Sequence, residues 1–166
     1  MHTIIHSNIG LIHVIFSIIS LVTGTLVLYL KKGTRVHKQI GYSYTITMLG
    51  VNGSAFGLYQ LFNSFGPFHL AAVVSLASLL AGMIPVLMRI NNWLNLHVSF
   101  MYYSVIGLYA AFASEIIVRI PGVAFGPAVG FATALVFIAA MAMFRVLLPR
   151  WQKAFVVFSK PLNNNV

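Results

Sequence analysis

The chain has no cysteine, no aspartate and one glutamate, Glu115, in 166 residues. Without cysteine there can be no disulfide, thiolate metal site or thiol catalysis. Without aspartate a Ser-His-Asp triad cannot be assembled. Phosphate-cradling and dinucleotide-binding glycine fingerprints are missing as well. Charge of either sign is scarce: 7% of residues are charged, against about 25% in a soluble domain. What fills the chain is hydrophobic, 60% of residues, in blocks of bilayer-spanning length. The sequence therefore reads as an all-α integral membrane protein. Its formal charge of +9 would suit nucleic acid only if the cations were clustered. They flank the apolar blocks instead, as membrane topology requires, so the expected partner is the lipid bilayer and not nucleic acid. The N-terminus lacks a basic n-region, and the first apolar block is too long for a signal-peptide core, so no cleavable signal is expected.

Five spans are expected, near residues 9–30, 40–62, 68–90, 97–119 and 124–147, each about the 20 residues a bilayer core demands. Together they form one bundle over 1–166, a four-helix core at about 9–119 with an additional helix at 124–147. The breaks are the basic loop "KKGTRVHKQ", the Gly-Pro turn in "NSFGPFH", the polar "RINNWLNLH" and the "IPG" after the fourth span. Gly122, Gly126 and Gly130 recur every four residues at the last span, a spacing that lets helices approach closely in lipid. Nine of the ten cations fall at one end of this arrangement, with Arg119 alone at the other. The positive-inside rule then places the N-terminus outside and the C-terminus in the cytoplasm.

The histidines sort into two layers. His13 and His69 fall at the outer end of spans one and three, and His37 and His97 at the inner end of spans two and four. His2 and His6 read as plain terminal residues. Glu115 follows His97 by 18 residues, five helical turns, so the two share a stripe about 27 Å long that also takes in Met101, Ser104, Leu108 and Ala111. Comparable stripes hold His13, Ser17, Ser20 and Gly24 in span one, and His37, Gly41, Tyr44 and Met48 in span two. In span three Ser75, Ser78, Gly82 and Pro85 form a small-residue face from which His69 is offset. A carboxylate within a span is costly and needs a partner. Arg119, one turn on, is the structural partner, and the outer histidines are the functional one.

Paired imidazoles from facing helices suit the axial positions of a b-type haem, whose porphyrin wants an apolar slot lined by small residues. On this reading His13 with His69 and His37 with His97 bind haem, and electrons cross the bilayer. The arrangement resembles the cytochrome b561 family, in which successive helices give histidines alternately to two haems; the likeness covers topology and ligand order over about 9–119. The segments "KGTRVHKQIGYSY", "GPFH" and "WLNLHVSFMYYSVIGLYAAFASEIIVR" resemble more specifically a bacterial membrane family catalogued as domain of unknown function 2306. The matching positions are Lys32, Gly33, Thr34, His37, Gly41, His97, Phe100, Met101, Glu115 and Arg119. That resemblance implies a helical membrane bundle in a bacterial inner membrane and no particular activity.

Other readings compete. His13, His69 and Glu115 are a two-histidine, one-carboxylate set for Zn or Fe, with an open position that could activate water. The chain could instead be a non-catalytic subunit of a larger, respiratory membrane complex, docked through the glycine-spaced fifth span. If it is an enzyme, it is a membrane oxidoreductase component, with quinol as a membrane-resident donor. Arg119, Met101, Lys32 and Arg35 are supporting residues: Lys32 and Arg35 lie in or beside a basic loop able to attract an anionic reductant. The plainer alternatives are an interfacial role for His37 and His97, satisfied buried imidazoles at His13 and His69, a structural Glu115–Arg119 pair, and packing for Met101 and Met48.

Overall fold

The computed structural model describes residues 8–58 and 66–159; His2, His6, Asn63 and Lys160 lie outside them. All regular structure among the described residues is helical: α1 Asn8–Tyr29, α2 Arg35–Ala55, α3 Pro67–Met88, α4 Trp93–Ile117 and α5 Phe125–Ser159. Helices α1, α3, α4 and the Phe125–Trp151 part of α5 are each long and apolar enough to cross a membrane. Helix α2 is long enough, at 21 residues, but its Lys, Gln, Ser, Thr and Asn residues dilute its apolar character. It is held by its neighbours and not by lipid solvation alone. Its buried residues are Tyr44, Thr47, Met48, Val51 and Asn52, a mixed polar stripe that only a helical partner can satisfy.

The helices pack as two hairpins, α1 on α2 and α3 on α4, joined through α2 with α3 and α1 with α4, while α5 packs chiefly on α4, with Phe125 at its start edge-on to Phe68 of α3. The core where the hairpins meet is Tyr44, Met48, Val51, Leu79, Val105 and Leu108. Glycines set the spacing. A Cβ on Gly24 would stand 2.9 Å from Tyr44 Cε2, and one on Gly82 would stand 2.8 Å from Met101 Sδ, so α1 approaches the Tyr44 ring, and α3 the Met101 thioether, only where a side chain is missing.

Several helix ends differ from the hydrophobic pattern because capping chemistry, not apolarity, fixes them. Thr34 caps α2, its hydroxyl accepting from His37 N at 3.2 Å, so the helix begins five residues before the apolar run. Helix α4 begins at Trp93, four residues before His97. The turn before it is sharp, with Arg89 and Asn92 both in the left-handed region at φ 50° and 60°. Helix α5 runs on to Ser159 through Pro149. Its 35 residues span about 52 Å, more than the roughly 30 Å of a hydrocarbon core. Gly122 is not in α5: it stands in the turn before it, at φ 82°.

Candidate functional site

At the basic end, the short turn from Lys31 to Thr34 is possible because Gly33 takes φ 76°. The Thr34 cap then sets His37 at the third position of α2, inside the helix instead of ahead of it. Its Nδ1 is buried and has no hydrogen-bond partner. His97, in the second turn of α4, places its Nδ1 at 2.9 Å from the Gly82 carbonyl oxygen of α3. A carbonyl only accepts, so Nδ1 carries the proton and Nε2 of the neutral ring keeps its lone pair. His37 and His97 are close enough to act on each other electrostatically, and Lys32 acts on both. One turn beyond His37, Gly41 has no heavy atom within 4 Å of where a Cβ would stand.

Lys32 turns inward from the loop, unlike the exposed Lys31 and Arg35, and is 8% exposed. Its ammonium donates to the carbonyls of Val27 and of Leu28, the latter at 2.9 Å, closing the C-terminus of α1. It also lies over the Trp151 ring of α5 at 4.6 Å, a cation–π contact. Burial pushes its pKa down from 10.5 to about 8.

At the opposite end, His13 Nδ1 lies 2.9 Å from Ser54 Oγ of α2. The Ser54 hydroxyl already donates to Gly50 O at 2.7 Å, so the His13 ring is the donor and its Nε2 keeps the lone pair. His69 has the reverse polarity. Its Nδ1 accepts from the Gly66 backbone N–H at 3.1 Å, capping its own helix and assigning the proton of the neutral ring to Nε2. His69 belongs to the buried face of α3 with Ala72, Leu79, Gly82 and Pro85; Ser75 and Ser78 flank that face, so the expected offset runs the other way. Glu115 forms a salt bridge with Arg119, both about one-third exposed, and it also acts electrostatically on His13. Among the described residues no three His, Cys, Asp or Glu side chains are grouped to hold a metal ion.

Between the two ends, polar side chains pair across helices: Ser20 with Thr47 at 2.8 Å and Tyr44 with Ser104 at 2.9 Å. The α4 stripe holds its inward aim through Met101, Ser104 and Leu108 but leaves Ala111 exposed. Met101 packs into the space at Gly82. Sequence reasoning missed the inward turn of Lys32, whose only signal was its place three residues beyond the last residue of α1. It also missed a hydroxyl pair between Thr25 of α1 and Tyr109 of α4, which no single-helix pattern announces.

The fold and these ends define a multi-pass helical membrane protein whose ionisable groups collect at the two ends of the bundle. A family model described as "Predicted membrane protein (DUF2306)" matches residues 10–151, and the chain belongs to that family. No curated protein and no solved structure matches it.

Proposed function

We propose that the protein carries electrons in the membrane by holding a b-type haem between His37 and His97. The observation that supports this reading is that the buried Nδ1 of His37 is unpartnered on a histidine near enough to His97 to feel its charge, with no group of three donors among the described residues. Two protein ligands suffice for haem iron, because the porphyrin supplies the other four. A Zn or non-haem Fe site needs at least three protein donors, and no such group stands among the described residues. Bound haem would supply one-electron exchange between ferric and ferrous iron.

The chain's own residues do the rest. The Gly82 carbonyl holds His97 by its Nδ1–H and leaves Nε2 to coordinate. The Thr34 cap fixes the backbone of His37, whose Nδ1 is otherwise an unmet buried polar atom. A ring edge would find open space beside Gly41, and Lys31, Arg35 and Lys38 at the same end would offer cations to haem propionates. A second haem between His13 and His69 is disfavoured, because His69 would have to surrender its helix cap to coordinate. The metal reading of His13, His69 and Glu115 is disfavoured by the same tautomer and by the Arg119 partner of Glu115. The reading as a subunit of a larger complex rests on the outward face of α5. The basic end faces the cytoplasm of a bacterial cell by its excess of cations.

The test is a reduced-minus-oxidised absorbance spectrum of protein expressed with ample haem. The wild type is expected to show Soret and alpha bands, His37→Ala and His97→Ala to lose them, and His69→Asn to keep them. A wild-type protein without a Soret band ends this reading.

A further inference from the structure

Helices α1 and α5 both pack on α4, and among the described residues their backbones do not come together; only side chains near Leu28 close the gap at the basic end. The two helices leave a trough floored by α4 and open to the surroundings of the bundle. One stretch of about 480 Å³ runs between Leu28 of α1, Ile106 and Ala113 of α4, and Ala139 of α5. A second of about 340 Å³ shares Thr25, Tyr109 and Phe112 with it. Both stretches are open along one side, and their walls are almost wholly carbon. Tyr29, 85% exposed, stands at the rim.

The polar floor has a defined hydrogen-bonding sense. Thr25 has one hydroxyl proton and donates it to the Leu21 carbonyl at 2.6 Å. In the Thr25–Tyr109 pair the proton must therefore come from Tyr109. Both hydroxyl protons are spent, and what the trough offers an occupant is an acceptor, the remaining lone pair of the Tyr109 oxygen. Depth narrows the occupant further. Tyr109 stands 16 residues after Trp93 and 8 before Ile117, about 24 Å and 12 Å from the ends of α4. Within the hydrocarbon, a donor can reach this free lone pair only when it is borne on an apolar body. Acyl tails carry no donor, and phospholipid headgroups with donors stay at the interface.

We propose that this trough binds a hydroquinone, a lipid-soluble phenol, in preference to its oxidised quinone. The phenolic O–H donates to Tyr109 Oη while the ring and tail lie against Phe112 and the α5 alanines. The quinone has only carbonyl acceptors and meets an acceptor there. The site stands on its own contacts and not on the haem reading, and its test needs no haem.

The test uses the full chain in phosphatidylcholine nanodiscs and measures equilibrium binding of three probes: decylubiquinol, decylubiquinone and the quinol's di-O-methyl ether. The quinol should bind about fivefold to tenfold more tightly than the other two, the value of one neutral hydrogen bond. Tyr109→Phe should bring the quinol down to the level of its ether. Thr25→Val removes the acceptor that holds the Tyr109 proton, so Tyr109 can donate and quinone affinity should rise toward that of the quinol. Ala139→Leu, which fills the wall, should weaken all three. Melting curves check that the variants fold, and the quinol-against-ether comparison needs no variant. Equal binding of the three probes to the wild type, or an unchanged quinol preference in a folded Tyr109→Phe protein, overturns the proposal. So does complete displacement of the quinol by an equal concentration of diacylglycerol, which would assign the trough to a hydroxyl-bearing lipid.

Discussion

The contact of Gly24 with Tyr44 offers a quantitative check on how the bundle is built. The Tyr44 ring is fully buried, and its hydroxyl is tied to Ser104 at 2.9 Å on a third helix. It cannot swing aside without breaking that bond. A methyl group at position 24 would sit 2.9 and 3.2 Å from two ring carbons, closer than ordinary van der Waals contact, with Val105 Cγ1 behind at 3.4 Å. Overpacking of this kind costs about 1–3 kcal/mol. Offsetting it, Gly→Ala in a helix interior gains about 0.5–1 kcal/mol from backbone entropy. Gly107→Ala is the control, because no heavy atom lies within 4 Å of its added Cβ. Both variants realise that gain, so it cancels between them, and Gly24→Ala should be less stable than Gly107→Ala by the clash alone, about 1–3 kcal/mol. Adding Tyr44→Leu to Gly24→Ala should recover at least about 1 kcal/mol as a coupling term in a double-mutant cycle. Reversible unfolding in mixed micelles measures all of these. Equal stabilities of the two alanine variants would falsify the close approach of α1 to α2.

Three further outcomes follow from the ends of the bundle. Lys32 holds its proton to about pH 8 when folded and to 10.5 ordinarily, so between those values the unfolded chain binds more protons. Stability should then rise as pH climbs from about 8 toward 10.5 and should be insensitive to this group below 8; the slope in melting temperature should flatten in Lys32→Met. His69→Ala removes the acceptor for the Gly66 N–H and should cost about 1 kcal/mol, as lost caps do, with faster amide exchange confined to the start of α3. Glu115→Gln breaks only a partly exposed pair and should change stability by no more than about 1 kcal/mol, with metal content per chain unchanged in elemental analysis. A stoichiometric metal lost in that variant would revive the outer-site reading.

What the sequence made legible was whatever has a period or a reference solvent. Apolar blocks gave five helices and their order, and the 3.6-residue period gave the inward stripes of α1 and α2, including Ser20, Gly24, Tyr44 and Met48. It put His37 and His97 at one end and His13 and His69 at the other. Tautomer was not legible. Whether His69 can coordinate is decided by one backbone N–H at Gly66, and that depends on a cap geometry no period encodes. Helix ends failed for a related reason, since Thr34 and the left-handed Arg89 and Asn92 act one residue at a time. Lys32 looked like its neighbour Lys31, because adjacent residues in a basic loop differ only in which way the turn throws them. The Thr25–Tyr109 pair needed the packing of α1 on α4, a tertiary fact.

The division into two hairpins bears on how the protein is made. In the first hairpin Ser20 is matched by Thr47 and His13 by Ser54, and in the second His97 is matched by Gly82. Each hairpin thus pairs these polar groups within itself. His37 and His97, by contrast, reside on different units, as do Tyr44 and Ser104. The candidate centre consequently exists only once the two hairpins have docked, and a prosthetic group gripped there would act as a rivet between them.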